Sequence, residues 1–364
     1  MNCVLKSLVL LLLILLLHSD GLITFIYWPS WQDFKQNYIN SDGRVVDSST
    51  PNKITTSEGQ SYAMFFALVA HDRPIFDKLL QWTENNLASG DLSSQLPAWL
   101  WGKNPQQQWV VLDHNSASDA DLWIAYDLLE AGRLWNNQHY EMLGTQLLDR
   151  ILKEEVVNIP GLGNMLLPGK NGFIHGDNWR LNPSYLPPQL LAKFILINAH
   201  WKDIEQNSLR LLIESSPKGF SPDWIIWNKE TGWQADHEHP NLGSYNAIRV
   251  YLWIGMLAED LGYKEELVKH FLPIITLTQQ QGVPPEKINT VTGKYTGKGP
   301  VGFSAALLPL MANMRGLKEQ RQRINDSSIS TDGYYNSVLR LFGQGWDQHH
   351  YRFNRQGELV SEWK

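Results

Sequence analysis

Apolar side chains recur along most of this chain at the three- and four-residue spacing of helix faces. The pattern predicts helices over Gln60–His71, Ile75–Leu87, Asp119–Leu134, Tyr140–Glu154, Pro187–Asn198 and Ile204–Glu214. Further along it predicts Ser244–Glu259, Lys264–Gln279, Gly302–Ala312 and Gly333–Phe342. Clusters of Pro and Gly, as in Leu166–Gly169, Pro183–Pro188 and Gly297–Gly302, mark breaks between them. Strand alternation is scarce, with Val45–Val46 and Trp224–Trp227 the best short candidates. Ser57-Glu58-Gly59-Gln60 has the Ser-x-x-Gln form of a capping box. Helices of this number without a sequence repeat fit either an α-solenoid or a closed ring of helix hairpins. Periodicity does not separate the two. In a closed ring, loops and helix starts meet at one end, which is where functional residues would gather.

The N-terminus reads differently. Lys6 precedes an unbroken apolar run from Leu8 to Leu17, followed by His18, Ser19 and Asp20. A bilayer span needs about 20 residues, so a run half that long reads as a secretory signal over residues 1–20, with an approximate cleavage site. An uncleaved anchor is the alternative. The only cysteine, Cys3, lies inside that segment, leaving residues 21–364 without a thiol for a disulfide, a zinc site or a nucleophile. Without Gly/Ser/Pro linkers or charge blocks, residues 21–364 are expected to form one soluble domain. The net charge of −6 argues against a nucleic-acid surface. Trp (16) outnumbers both Phe (12) and Tyr (13). Any single Trp is best read as core, but the excess leans towards a groove where flat rings stack on sugars.

Three segments combine acids, amides and small residues at predicted helix starts. Glu58 lies in Ile54-Thr55-Thr56-Ser57-Glu58-Gly59-Gln60-Ser61-Tyr62. On local grounds it is more simply a charge favoured by the helix macrodipole than a catalyst. Asp119 and Asp121, two apart in Asn115-Ser116-Ala117-Ser118-Asp119-Ala120-Asp121-Leu122-Trp123, point in different directions, so one can cap while the other faces a cleft. No further oxygen ligands follow at loop spacing, so a metal site is not expected. In Leu242-Gly243-Ser244-Tyr245-Asn246-Ala247-Ile248-Arg249-Val250, Asn246 and Arg249 share a helix face. No nucleophile elbow and no phosphate-binding loop is present.

Together with Trp28-Pro29-Ser30-Trp31, Leu96–Gly102, Asn182–Pro188, Lys218–Trp224, Gly299–Ser304 and Leu341–Trp346, these segments resemble glycoside hydrolase family 8. The resemblance is strongest to its branch of periplasmic endoglucanases accompanying bacterial cellulose synthase. It implies an all-α (α/α)6 barrel of helix hairpins with short peripheral strands, cleaving β-1,4-glucan with inversion and needing no metal or cofactor. It further implies Glu58 as general acid and Asp119 as the acid contacting the strained sugar and tuning Glu58. The implied substrate-binding positions are Trp101, Trp179, Tyr185, Tyr245, Arg249, Tyr334 and Tyr335. The implied partners are a β-1,4-glucan chain and, by association, the cellulose synthase complex. The protein is expected to be monomeric and periplasmic or secreted. Asp127 stands where the family signature usually has a small residue.

One departure matters more. The base of the resembling enzymes is an Asp in Ser-Tyr-Asp-Ala-Ile-Arg, and this chain has Asn246 there. An amide orients water but takes no proton at ordinary pH, and losing a general base costs ~10²–10⁴ in rate. Three readings follow: a glucan-binding protein with weak or no hydrolysis, a base relocated to Asp236 or Glu238, or an accidental or engineered change. A relocated base would also admit a related polymer such as xylan, chitosan or mixed-linkage glucan.

Overall fold

The computed structural model describes residues 27–327 and 333–363. The expected signal segment and Cys3 lie outside the described residues. Among those described there are twelve helices: α1 (Pro29–Tyr38), α2 (Ser57–Val69), α3 (Arg73–Leu87), α4 (Ser118–Trp135), α5 (Gln138–Glu154), α6 (Pro188–Ile197), α7 (Trp201–Glu214), α8 (Ala247–Gly255), α9 (Lys264–Gln281), α10 (Val301–Leu307), α11 (Leu317–Asn325) and α12 (Tyr334–Asp347).

Burial divides them by parity. Odd-numbered helices are amphipathic and bury one stripe, as α3 does with Phe76, Leu79, Leu80, Thr83 and Leu87. Even-numbered helices are enclosed on nearly all sides: every residue of α2 except Glu58 is buried, and so is all of α8. An apolar helix with no polar face must be surrounded by protein, so the even helices form an inner ring and the odd ones an outer ring. Inner neighbours pack in sequence, α2 on α4, α4 on α6, α6 on α8, α8 on α10 and α10 on α12. The ring closes where Phe342 of α12 meets Tyr62, Phe65 and Phe66 of α2 at ring-centre distances of 5.0, 5.4 and 4.7 Å. Those three contacts exclude an open solenoid.

Short antiparallel strands decorate the ring in five small sheets. One joins β1 (Thr55–Thr56), β2 (Leu100–Lys103) and β3 (Trp109–Asp113). Another carries four strands between Ile174 and Ala235, among them Asn178–Leu181 and Ile225–Asn228.

Several local expectations need correction. Helices α1 and α11 escape the sequence pattern because each is short and buries few apolar residues, Trp31, Phe34 and Tyr38 in one and Ile324 in the other. Val45–Val46 is not a strand; Val45 makes one isolated bridge to Ile39. The helix expected over Ser244–Glu259 spans only Ala247–Gly255. The capping box does not form. Thr56 caps α2, its Oγ1 accepting from the Gly59 N–H at 3.0 Å, while the Gln60 amide is drawn into the core to bind Val45 N–H and Thr83 Oγ1. Loop backbone buried beneath the outer helices must be satisfied, and Gln60 reaches it.

Candidate active site

The starts of the inner helices converge at one end of the ring. Glu58 is the second residue of α2, entered from extended Thr56, which pairs with Leu100 on β2. Gly59 follows because nothing larger fits: an added Cβ would stand 2.9 Å from the Tyr334 hydroxyl oxygen of α12. Asp119 is the second residue of α4, 2% exposed, its Oδ1 accepting from the Ala120 N–H at 2.8 Å. Arg249, on the first turn of α8, is 3% exposed and reaches across the ring axis to both.

Arg249 organises this end. Its Nη1 donates to Glu58 Oε2, to Asp119 Oδ2 at 3.1 Å and to the Tyr62 hydroxyl at 3.0 Å. Its Nη2 donates to Ser184 Oγ at 3.1 Å and to Asn246 Oδ1 at 2.9 Å. Behind α8, Asp223 Oδ1 accepts the backbone N–H groups of Ser244, Asn246 and Ala247 at 2.8, 3.0 and 2.7 Å. With that side-chain cap the helix starts at Ala247, three residues later than the expected Ser244.

Two carboxyls share one cation here. Burial pushes the Glu58 carboxyl up to about 7, Asp119 adds to the rise, and Arg249 opposes it. Burial also raises Asp119, against the pull of Arg249 and the Ala120 N–H. Burial works against the Arg249 charge, but Tyr62, Glu58 and Asp119 around it keep the guanidinium cationic. One cation beside two acids favours one ionised and one protonated carboxyl near neutral pH. Glu58, with 20% of its side chain still open, is the one positioned to pass a proton outward.

Aromatic rings rim the cluster. Trp101 on β2 lies opposite Thr55, three residues from Glu58, and stacks on Trp109 of β3 at 5.0 Å and 6°. Arg44 lies 4.3 Å from the Trp101 ring centre. On the far side Tyr245 is 43% exposed against Phe303, and the Tyr335 hydroxyl donates to the Tyr245 carbonyl. Tyr185 faces Arg249 and continues through Trp224 to Phe173. Two expected platforms are not on this rim: Trp179 and Tyr334, each 8% exposed, belong to the apolar core.

The structure thus brings together Glu58, Asp119, Asn246, Arg249, Tyr185, Tyr245 and Tyr335. Asp236 and Glu238 make no hydrogen bond to any of these side chains among the described residues. Asp236 is clamped by Arg180, with Nε to Oδ1 at 2.7 Å and Nη2 to Oδ2 at 3.1 Å, and Oδ2 also accepts from the N–H groups of Glu238 and His239. Burial pushes its carboxyl up, but those bonds hold it below the usual range. Glu238 is an exposed partner of the same arginine. Sequence reasoning assigned no role to Tyr62, Ser184 or Asp223, although each lies in a segment it quoted. Asp223 is 24 residues from Ala247, so no local spacing could connect it to the helix it caps. Of the expected pair at the start of α4, Asp121 turns into the protein against Glu155 rather than towards the cleft. Among the described residues no group of three or more His, Cys, Asp or Glu could hold a metal ion.

A ring of helix hairpins whose inner helix starts gather a protonated acid, a second carboxyl and stacked aromatic rings has the form of a glycoside-cleaving protein. A sequence model of "Glycosyl hydrolases family 8" matches residues 1–349. An endoglucanase of Escherichia coli O157:H7 is 53% identical over 363 residues, 100% of this chain and 98% of that protein. One from Salmonella typhi is 56% identical over 336 residues, 92% of this chain and 91% of its own. The crystal structure of an endo-1,4-D-glucanase from Vibrio fischeri ES114 superposes with a TM-score of 0.89 at 50% identity, over 92% of this chain and 99% of that one. The chain belongs to glycosyl hydrolases family 8 and has its (α/α)6 barrel fold.

Proposed function

We propose that this protein is an endo-β-1,4-glucanase that hydrolyses its substrate with inversion. The observation that carries the reading is the carboxyl of Glu58, held protonated near neutral pH by burial while one edge stays open to the cleft. A protonated acid there donates to the leaving glycosidic oxygen as the bond breaks. Asp119, ionised beside Arg249, holds the strained sugar and its charge keeps the proton on Glu58. Trp101, Tyr185, Tyr245 and Tyr335 offer faces along which successive glucose units lie. Asn246 orients the attacking water through its amide. Relatives named endoglucanase over 92% or more of the chain, and a similar solved structure named an endo-1,4-D-glucanase, support this reading.

The test is reducing-sugar release from soluble cellulose by the protein, Glu58→Gln and Asp119→Asn. Glu58→Gln abolishes release, and full activity in that variant would sink the assignment. A second reading, a glucan-binding protein with little turnover, is favoured by the amide at Asn246, and undetectable release by the unaltered protein would establish it.

Residues 21–364 are proposed to act as one monomeric domain in the periplasm or outside the cell, exported by the segment over residues 1–20. Among the described residues no helix is long and apolar enough to cross a membrane. Service to a cellulose synthase complex is the corresponding proposal for its biological setting.

A further inference from the structure

Asp223 is the carboxylate on the Asn246 turn, and only one of its oxygens is used. Oδ1 takes all three backbone N–H groups at the start of α8. Oδ2 accepts no hydrogen bond among the described residues, and it is not one of the polar atoms sealed away without a partner, so it keeps contact with solvent. The charge of the Asp223 carboxylate also acts on Arg249 and Tyr335, two residues of the cleft.

The neighbouring amide is oriented to match. Arg249 has only donors, so the atom of Asn246 that it meets at 2.9 Å is the oxygen. The Asn246 NH₂ group therefore points away from the guanidinium, and it finds no acceptor among the described residues. The NH₂ group of a half-buried asparagine and a free carboxylate oxygen, tied together through one helix start, suit one water molecule. The amide donates to a water lone pair while the carboxylate accepts one of the water protons.

We propose that Asp223 is the general base of this protein, a role that its family gives to position 246. The proposal rests on the reading of the site as an inverting glycoside hydrolase. In the step, the water proton passes to Asp223 Oδ2 as the water oxygen bonds to the anomeric carbon. The bond from that carbon to the bridging oxygen breaks, and the bridging oxygen takes the Glu58 proton. The products are an α-configured reducing end and a chain with a free 4-hydroxyl. Glu58 is left ionised and Asp223 protonated, and exchange with solvent water resets both. Burial raises the Asp223 carboxyl despite the three N–H groups it accepts, which makes it a better proton acceptor. Asp236 is less suited, since Arg180 and two backbone N–H groups occupy both its oxygens.

Asp223→Asn keeps the oxygen that caps α8 and replaces the free oxygen by NH₂, so the fold is retained. On soluble cellulose kcat is expected to fall ~10²–10⁴-fold with KM little changed. Azide, a nucleophile that needs no deprotonation, is expected to restore turnover and leave an α-glycosyl azide. Adding Asn246→Asp in the same chain is expected to restore hydrolysis without azide. Glu58→Gln should instead be rescued by an aryl cellobioside with a good leaving group, and not by azide. Unchanged kcat in Asp223→Asn, or a loss that azide does not reverse, overturns the proposal. If Glu58→Gln stays inactive on cellulose in either case, the inverting-hydrolase reading survives that failure. Activity of Glu58→Gln on cellulose equal to the unaltered protein overturns both.

Discussion

Arg249 meets Asp119 at 3.1 Å through the same guanidinium nitrogen that contacts Glu58. A cation shared in this way cannot fully compensate two buried anions, so one carboxyl keeps its proton. Which of the two carboxyls holds the proton is therefore decided with a partner on another helix.

The pH profile follows from the sign of that shift. Glu58 must be protonated to act, and burial sets its carboxyl at about 7. The rate kcat/KM on soluble cellulose should fall as pH rises through about 7. A profile flat up to pH 9 would contradict Glu58 as the acid. Because the folded value lies above the unfolded one, the same proton stabilises the fold at low pH, and that contribution is lost as pH rises through 7.

Removing the shared cation should expose the conflict between the acids. Arg249→Met leaves Glu58 and Asp119 facing each other, and breaking such a buried pair costs about 3–5 kcal/mol. Both carboxyls should rise further, so the melting temperature should drop more at pH 8 than at pH 5. Thermal unfolding at the two pH values measures this, and an equal drop at both would refute it.

Gly59 permits the close approach of α12 to α2. Gly59→Ala should cost about 1–3 kcal/mol, the usual range for an overpacked core, because its Cβ would lie 2.9 Å from the Tyr334 hydroxyl oxygen. Adding Tyr334→Phe removes that oxygen and should recover part of the loss. Chemical denaturation of the single and double variants checks both.

Asp127 on α4 is fully buried, and neither of its carboxyl oxygens has a hydrogen-bond partner among the described residues. Burial raises its carboxyl well above the usual range, and Glu130 adds to the rise, so the folded protein holds a proton that the unfolded chain releases at neutral pH. Asp127→Ala should therefore stabilise the protein at pH 8 by about 1–3 kcal/mol, the cost of an unsatisfied buried group. The gain should shrink towards pH 4, as read from melting temperatures across that range.

Trp109 is 43% exposed and stacks on Trp101 beyond the Glu58 end of the site. Losing a stacking platform costs about 0.5–1.5 kcal/mol. Trp109→Ala should therefore raise KM a few-fold for cellohexaose and leave it nearly unchanged for a short cellodextrin that does not reach β3. Equal effects on both substrates would remove Trp109 from the groove.

Most of the helices were legible in the sequence because an enclosed or half-buried helix must carry apolar residues at helical spacing. The two helices that escaped, α1 and α11, bury too few apolar side chains to mark a period. Trp179 and Tyr334 show the limit for single aromatics, since a ring suited to a sugar is equally suited to a core, and both lie in the core. Gln60 shows it for caps: its spacing from Ser57 fits a capping box, yet buried backbone at Val45 claims the side chain.

The sequence by itself determined the helical periods, the acidic helix starts at Glu58 and Asp119, and the amide at Asn246. Tertiary structure alone decided what those groups do to one another. Ring closure through Phe342 sets the helix starts face to face, Arg249 reaches 191 positions back along the chain to Glu58, and Asp223 caps a helix that lies beyond three short strands. Proton affinity depends on distance and burial in space, and neither is encoded in local spacing.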